Sequence, residues 1–136
     1  MKLNIIVLTA FYLIFSMLNS IEASAQEPDQ MDYSARAEDE TDRLQRILDL
    51  EDWQAFYVDS TLQHDLTAMV VEIQSLQTSK VSNMSIYQQV QDKWMDHIDS
   101  TYHRIFTEEQ WAAYLKSGAA KAQKARDKRR QKSQDK

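Results

Sequence analysis

The sequence predicts an all-helical protein, and three observations lead to this prediction. The chain contains one glycine and one proline, so it has few of the residues that tight turns and strand-rich architectures require. It contains no cysteine, so packing must hold the fold together without disulfides. Its apolar residues recur at alternating spacings of three and four, which is the period of amphipathic helices. We expect four helices, two of them long.

The N-terminal segment is expected to direct export. Lys2, an apolar run over residues 3–18 and the triplet Ala23-Ser24-Ala25 are typical of a secretory signal peptide. We therefore predict a signal peptide over residues 1–25, cleaved after Ala25, followed by a disordered lead over residues 26–33. The alternative is an uncleaved membrane anchor, since the run approaches spanning length, but the small-residue cleavage site favours removal. No stable membrane insertion is expected after cleavage.

The first two helices follow from capping residues and apolar spacing. Ser34 can cap a first helix that runs to about Leu48. A second, long helix is predicted from about Asp52 to Gln77, because its apolar residues form one packing seam. The seam consists of Ala55, Val58, Leu62, Leu66, Met69, Ile73 and Leu76.

A third helix follows a short polar connector over residues 78–84. Ser85 and Gln88 have the spacing of a capping box that opens this helix. Two long amphipathic helices joined by a short connector most simply form an antiparallel hairpin. The apolar seam of the third helix contains Tyr87, Val90, Trp94, Ile98, Tyr102 and Ile105.

The start of the fourth helix is the most informative segment of the chain. Thr107 can accept from the amide of Gln110 while the Gln110 side chain accepts from the amide of Thr107, as in a capping box. Phe106 and Trp111 can pack across this start as a hydrophobic staple. A related pattern occurs upstream, where Leu50 and Gln54 have the spacing of Phe106 and Gln110 and Glu51 stands in the place of threonine. We call these two segments, residues 50–54 and 106–110, the glutamine frames.

The C-terminal end differs from the body in charge. Residues 26–116 carry 18 acidic and 7 basic side chains, whereas residues 117–136 carry 2 acidic and 8 basic ones. We expect the helical domain to cover residues 34–118 and residues 119–136 to form a basic, flexible, solvated tail. Acidic lipid, polysaccharide or the acidic body of a neighbouring molecule are other partners for such a tail. Nucleic acid is not expected, because the tail lacks aromatic residues that stack on bases.

The sequence gives no indication of catalysis. It lacks a glycine-rich phosphate loop, a nucleophile elbow and a cysteine nucleophile, so we expect neither an enzyme nor a cofactor. A stripe on the third helix is a weak candidate for a divalent metal site, and a solvated acidic face is the favoured interpretation. The stripe consists of Asp92, Asp96, Asp99 and His103, while His64 and His97 stand alone in the sequence.

Methionine and aromatic side chains are the candidates for binding other proteins, because they tolerate varied partners. They are Met69, Met84, Met95, Trp53, Trp94 and Tyr57. Met69 and Trp94 lie on the predicted seams, so core packing is favoured for them. Tyr57 and Met95 lie off the seams and are the candidate client-binding residues.

The two glutamine frames, in an exported and cysteine-free helical chain, resemble the LTxxQ family of periplasmic proteins, which includes Spy-like and CpxP-like members. The resemblance covers residues 41–118 and rests on Leu50, Gln54, Phe106, Thr107 and Gln110. It implies a periplasmic, curved helical protein, commonly a homodimer, which acts without ATP as a holdase for unfolding envelope proteins or as an envelope-stress regulator. The chain departs from the pattern at Glu51, and its acidic body contrasts with the positive concave surface associated with Spy-like chaperones.

These observations lead to a functional hypothesis and two competing ones. We expect a periplasmic holdase or envelope-stress protein that binds partly unfolded or misfolded envelope proteins. An envelope sensor or adaptor that binds a specific protein partner or a divalent metal ion is the first alternative. A purely structural envelope protein is the second.

Overall fold

The computed structural model describes residues 33–135, so the predicted signal peptide and nearly all of the predicted lead lie outside the described residues. Within this part of the chain every regular element is a helix, which confirms the all-helical prediction. The elements are α1 (Tyr33–Leu48), α2 (Asp52–Thr78), α3 (Met84–Ile105), α4 (Glu108–Tyr114), a π-helical turn (Leu115–Ala119) and α5 (Ala120–Gln134).

The first three helices begin and end close to the predicted positions. Asp49 after α1 and Lys80 after α2 have positive φ angles of 52° and 56°, the left-handed conformation that ends many helices. The amide of Val81 then donates to the carbonyl of Leu76 at 3.0 Å, which satisfies an end carbonyl of α2. The capping residue of α3 differs from the prediction. Asn83 caps it by accepting from the amide of Ser85 at 3.0 Å, whereas Gln88 donates to Asp92.

The main core lies between α1, α2, α3 and α4. Val58 and Leu62 supply the α2 side of this core, Ile98 and Tyr102 supply the α3 side, and Leu44 of α1 is fully buried. Fully burying such side chains contributes roughly 1.5–3 kcal/mol each, so this cluster dominates the stability of the fold. Its other buried members are Ala37, Leu48, Leu50, Phe106 and Tyr114.

A second core cluster joins the distal part of α2 to the first half of α3. Met69, Ile73 and Val90 are buried there, and Trp94 packs against them while its Nε1 donates to Glu72 at 2.8 Å. Lys93 donates to the same carboxylate. Hydrogen bonds from Lys93 and Trp94 lower the pKa of Glu72. No helix among the described residues combines the length and apolarity that crossing a bilayer requires.

The C-terminal end differs from the expected flexible tail. Gly118 has a φ of 123°, which glycine adopts at little cost, and the chain changes direction there before it forms the 15 residues of α5. The physical reason is pairing between helices. Arginines of α5 bind aspartates of α3, so charges that were expected to be solvated hold the C-terminal helix on the body.

Candidate functional site

The two glutamine frames identified in the sequence lie side by side in the fold. Gln54 at the start of α2 donates through Nε2 to Oε1 of Gln110 at 2.7 Å, and Gln110 Nε2 donates to Oε1 of Gln54 at 3.1 Å. Gln54 is only 2% exposed. The pair therefore joins the N-terminus of α2 to the N-terminus of α4 through the interior of the protein.

The remaining hydrogen bonds of the two glutamines follow the same plan at both helix starts. Each Oε1 accepts from its own capping residue, the amide of Glu51 or of Thr107, at 2.9 Å in both cases. Each Nε2 also donates to the carbonyl two residues before the other cap, from Gln54 to Ile105 at 3.1 Å and from Gln110 to Asp49 at 3.4 Å. Both side-chain amides thus use all their donors and acceptors.

The start of α4 contains the complete capping box. Thr107 Oγ1 accepts from the amide of Gln110 at 3.2 Å, which complements the bond that Gln110 returns. Phe106 is buried in the main core, and Trp111 packs on that core while partly exposed. The helix start and the core are therefore built by the same residues.

An aromatic patch lies on the first two turns of α2, next to the glutamine pair in sequence. We define it as Trp53, Phe56 and Tyr57, which are 51%, 66% and 54% exposed. Tyr57 contacts both other rings edge-on, with centroid distances of 6.3 Å to Trp53 and 5.7 Å to Phe56. Because Gln54, Ala55 and Val58 on the same turns are buried, the patch occupies the face of α2 that the core leaves uncovered.

A shallow depression of about 690 Å³ continues from the patch along α2. It begins at Phe56, passes His64 and ends at Ala68, and the side chains between them are small or polar. The acidic side chains next to the patch are Glu51, which accepts from Trp53 Nε1, and Asp52 and Asp59. This part of α2 therefore presents apolar rings with carboxylates beside them.

The candidate client-binding residues have different surroundings. Tyr57 belongs to the aromatic patch, whereas Met95 is half-buried against the main core and differs in this from the expected surface position. Met69 is buried and Trp94 is partly buried in the second core cluster. Trp53 is one of the candidates named from the sequence, whereas Phe56 is not, although its position off the α2 seam is visible in the sequence.

The candidate metal stripe on α3 is bound by the C-terminal helix. Asp92 accepts two hydrogen bonds from Arg129 at 2.7 and 2.8 Å. Asp96 accepts from Arg126 Nε at 2.7 Å and also from Arg130. Asp99 accepts from Arg126, from Gln123 at 3.0 Å and from the Tyr114 hydroxyl at 2.6 Å. The three aspartates of the stripe are therefore bound by side chains of α4 and α5, and they are not free ligands.

Arg126 is the central residue of this pairing. Its side chain is 3% exposed, and it bridges Asp96 and Asp99. Burial opposes its charge, but the hydrogen bond from Arg126 to Asp96 and the charges of Asp99 and Asp96 outweigh burial and raise the Arg126 pKa. Removing one partner of a buried ion pair typically costs about 3–5 kcal/mol, because the other charge is left uncompensated.

His103, the fourth member of the stripe, has a different neighbour. Its ring lies 4.6 Å from the Trp111 ring, centroid to centroid. Within residues 33–135, no group of three or more histidine, aspartate or glutamate side chains is arranged to hold a metal ion.

A buried carboxylate links the two histidines that stand alone in the sequence. Asp65 of α2 is 1% exposed, and its two oxygens lie 2.8 Å from His64 Nδ1 and 2.6 Å from His97 Nδ1. Sequence reasoning missed this cluster. The available signal was an aspartate three residues after Leu62 and four before Met69, which places a charge on the packing seam.

No protein-family model, curated protein or solved structure gives a significant match to the chain.

Proposed function

We propose that this protein is an exported, ATP-independent holdase that binds apolar segments of partly unfolded envelope proteins through the aromatic patch. The observation that carries the proposal is the exposure of Trp53, Phe56 and Tyr57 as one contacting group on a helix whose other side is buried. Exposed and contiguous apolar groups of this kind mark binding surfaces in soluble proteins. The periplasm as its location, and the LTxxQ resemblance, remain part of this proposal.

The chemistry beside the patch suggests which segments bind best. Glu51, Asp52 and Asp59 place carboxylates next to the rings. Charge complementarity favours client segments in which apolar residues alternate with lysine or arginine. A client rich in aspartate and glutamate is repelled by the same carboxylates and binds more weakly.

The architecture that goes with this proposal has α2 and α3 as an antiparallel hairpin, curved and paired in a homodimer. Contacts support the hairpin, because Glu72 near the end of α2 binds Lys93, and Gln54 at its start binds the carbonyl of Ile105 at the end of α3. The reciprocal bonding of Gln54 and Gln110 supports the resemblance, since it gives the two LTxxQ-like frames a shared structural role.

Light scattering from a chemically unfolded, aggregation-prone protein tests the proposal. Covering half of an aromatic ring removes about 100 Å² from water, worth about 2 kcal/mol, so each ring raises client affinity about 30-fold. We expect the parent protein to suppress aggregation and the variant with alanine at Trp53, Phe56 and Tyr57 to lose most of this activity. Basic clients should be protected better than acidic ones of equal size.

A matched control replaces three exposed apolar residues outside the patch by serine, namely Val71, Met84 and Ile86. Val71 lies about 21 Å along α2 from Tyr57, at 1.5 Å per residue. The control variant should protect clients as the parent does. No suppression by the parent at several-fold excess ends the holdase proposal, and equal activity of parent and patch variant removes the patch from it.

A further inference from the structure

The basic residues of α5 are divided by type between its two sides. Arg126, Arg129 and Arg130 bind aspartates of α3. Lys124 and Lys128 are exposed, and neither forms an ion pair with a carboxylate of residues 33–135. The same holds for Lys132. The arginines thus hold α5 in place, and Lys124, Lys128 and Lys132 remain for another partner.

The three lysines form a row, which we define as Lys124, Lys128 and Lys132. Residues four apart share one side of a helix, so the ammonium groups line up over about 12 Å of the α5 axis. The side chains of α5 are alanine, glutamine, serine, aspartate, lysine and arginine, with no aromatic or large aliphatic group. A partner of the row is therefore held by charge without apolar insertion.

We propose that the lysine row binds the phosphate head groups of an anionic lipid bilayer and places the protein at the membrane surface. Lysine is a compact, hydrated charge on a flexible stem, which suits a diffuse anionic surface better than a specific bidentate contact. The row lacks aromatic side chains for stacking on nucleic acid bases and an apolar centre for a protein interface.

The charge of the rest of the molecule also favours a flat partner. Residues 33–116 carry 15 acidic and 7 basic side chains, so they repel a polyanion that wraps around the protein. A bilayer meets only the side of α5 that faces it. The proposal is independent of client binding, because it uses none of the residues of the aromatic patch.

The expected binding is weak and depends on salt. Each lysine near an anionic bilayer raises the partition coefficient roughly fivefold, so the row supplies on the order of 100-fold. Screening shortens the reach of these charges from about 30 Å at 0.01 M salt to about 8 Å at 0.15 M. Binding is therefore measured first at low ionic strength. The partition coefficient should decline as salt is added.

The test is co-sedimentation of the full chain with phosphatidylcholine vesicles that contain or lack phosphatidylglycerol. The ratio of the two partition coefficients isolates the charge effect, because apolar contacts of the N-terminal segment act on both kinds of vesicle. The ratio should be high for the parent and fall on the order of 100-fold when the three lysines of the row become glutamine. Replacing the row by three arginines should preserve the ratio.

The matched control removes the same charge elsewhere by placing glutamine at Lys80, Lys93 and Lys116. It should keep most of the parent's preference for anionic vesicles. An unchanged ratio in the row variant overturns the proposal, as does an equal loss in the control, which would attribute binding to net charge. Tighter binding of a short RNA, lost in the same row variant, would overturn it in favour of a nucleic acid partner.

Discussion

We expect the glutamine pair to contribute several kcal/mol to the free energy of unfolding, because Gln54 and Gln110 exchange two hydrogen bonds between helix starts that are 56 residues apart. Replacing Gln54 by alanine removes four hydrogen bonds and leaves the Ile105 carbonyl and the Glu51 amide without this partner. At about 1 kcal/mol net per bond, with some relaxation and solvent access, we expect a loss of about 3 kcal/mol. The Gln110→Ala variant should lose about 2 kcal/mol, because its site is more exposed.

The decisive quantity is the coupling between the two substitutions. The double variant loses the two shared bonds once, whereas the sum of the single variants counts them twice. It should therefore be about 1–2 kcal/mol more stable than additivity predicts, within the range for residues in direct contact.

Urea denaturation followed by circular dichroism measures all three variants. With a slope of about 1.5 kcal/mol per molar urea, the Gln54→Ala variant should unfold at a midpoint about 2 M lower than the parent. Gln63→Ala is the matched control, because Gln63 is exposed and Asp59, on its own helix, is its side chain's only hydrogen-bond partner among residues 33–135. The change should therefore stay within about 0.5 kcal/mol. Additive losses would refute the direct pairing of the two glutamines.

The capping box and the buried tyrosines allow further tests by the same unfolding assay. Thr107→Ala should cost about 0.5–2 kcal/mol through loss of the α4 cap, and a variant as stable as the parent would contradict the cap assignment. Tyr102→Phe should be neutral or stabilising by about 1 kcal/mol, because the Tyr102 hydroxyl is buried and has no hydrogen-bond partner among residues 33–135. Tyr114→Phe should instead cost about 1–3 kcal/mol through loss of the hydrogen bond to Asp99. If Tyr102→Phe were the less stable of the two variants, the hydrogen bonding assigned to the two hydroxyls would be wrong. Burial raises the pKa of both tyrosines, and the charge of Asp99 and its hydrogen bond with Tyr114 raise the pKa of Tyr114 further. The unfolded chain therefore releases these protons first, near pH 10. The contribution of the two tyrosines to the free energy of unfolding is fully present below pH 10 and declines above it. The decline should be shallower with both phenylalanines, and an equally steep decline would count against burial as its cause.

Local signals in the sequence were enough for most of the fold. The predicted second helix, residues 52–77, agrees with α2, which ends at Thr78, because the acidic helix start and the apolar seam act within a few residues of each other. The cap at Thr107 was predicted for the same reason, since both of its partners lie within one turn. Five of the seven predicted seam residues of α2 are buried, and Leu66 and Leu76 are partly buried against the second core cluster.

Contacts between distant segments were not predictable in the same way. Gln54 and Gln110 are equivalent within their own frames, but their spacing says nothing about whether two frames meet. Asp65 and His97 present the same difficulty, because the pairing of a buried charge depends on which turn of α3 faces α2. These parts of the candidate site required the fold.

The C-terminal helix was missed although part of the signal was present. Its alanine, lysine, arginine and glutamine residues are strong helix formers. A dense run of charge was interpreted as solvated, which is correct for an isolated basic segment. The interpretation fails here because Arg126 forms an ion pair with Asp96 and Arg129 forms one with Asp92. These hydrogen-bonded pairs replace the water that would otherwise solvate the charges.

This pairing also determines which surfaces remain for partners. It occupies the aspartates of α3 and the arginines of α5, and it leaves an aromatic patch with acidic neighbours on α2 and a lysine row on α5. The two surfaces bind by different forces, so salt separates their activities. Added salt screens the lysine row and should release the protein from anionic vesicles, whereas apolar contacts at the patch persist. A single salt titration that follows both vesicle binding and the protection of a client without net charge therefore distinguishes two independent surfaces from one shared electrostatic effect, because only the latter makes both activities decline together.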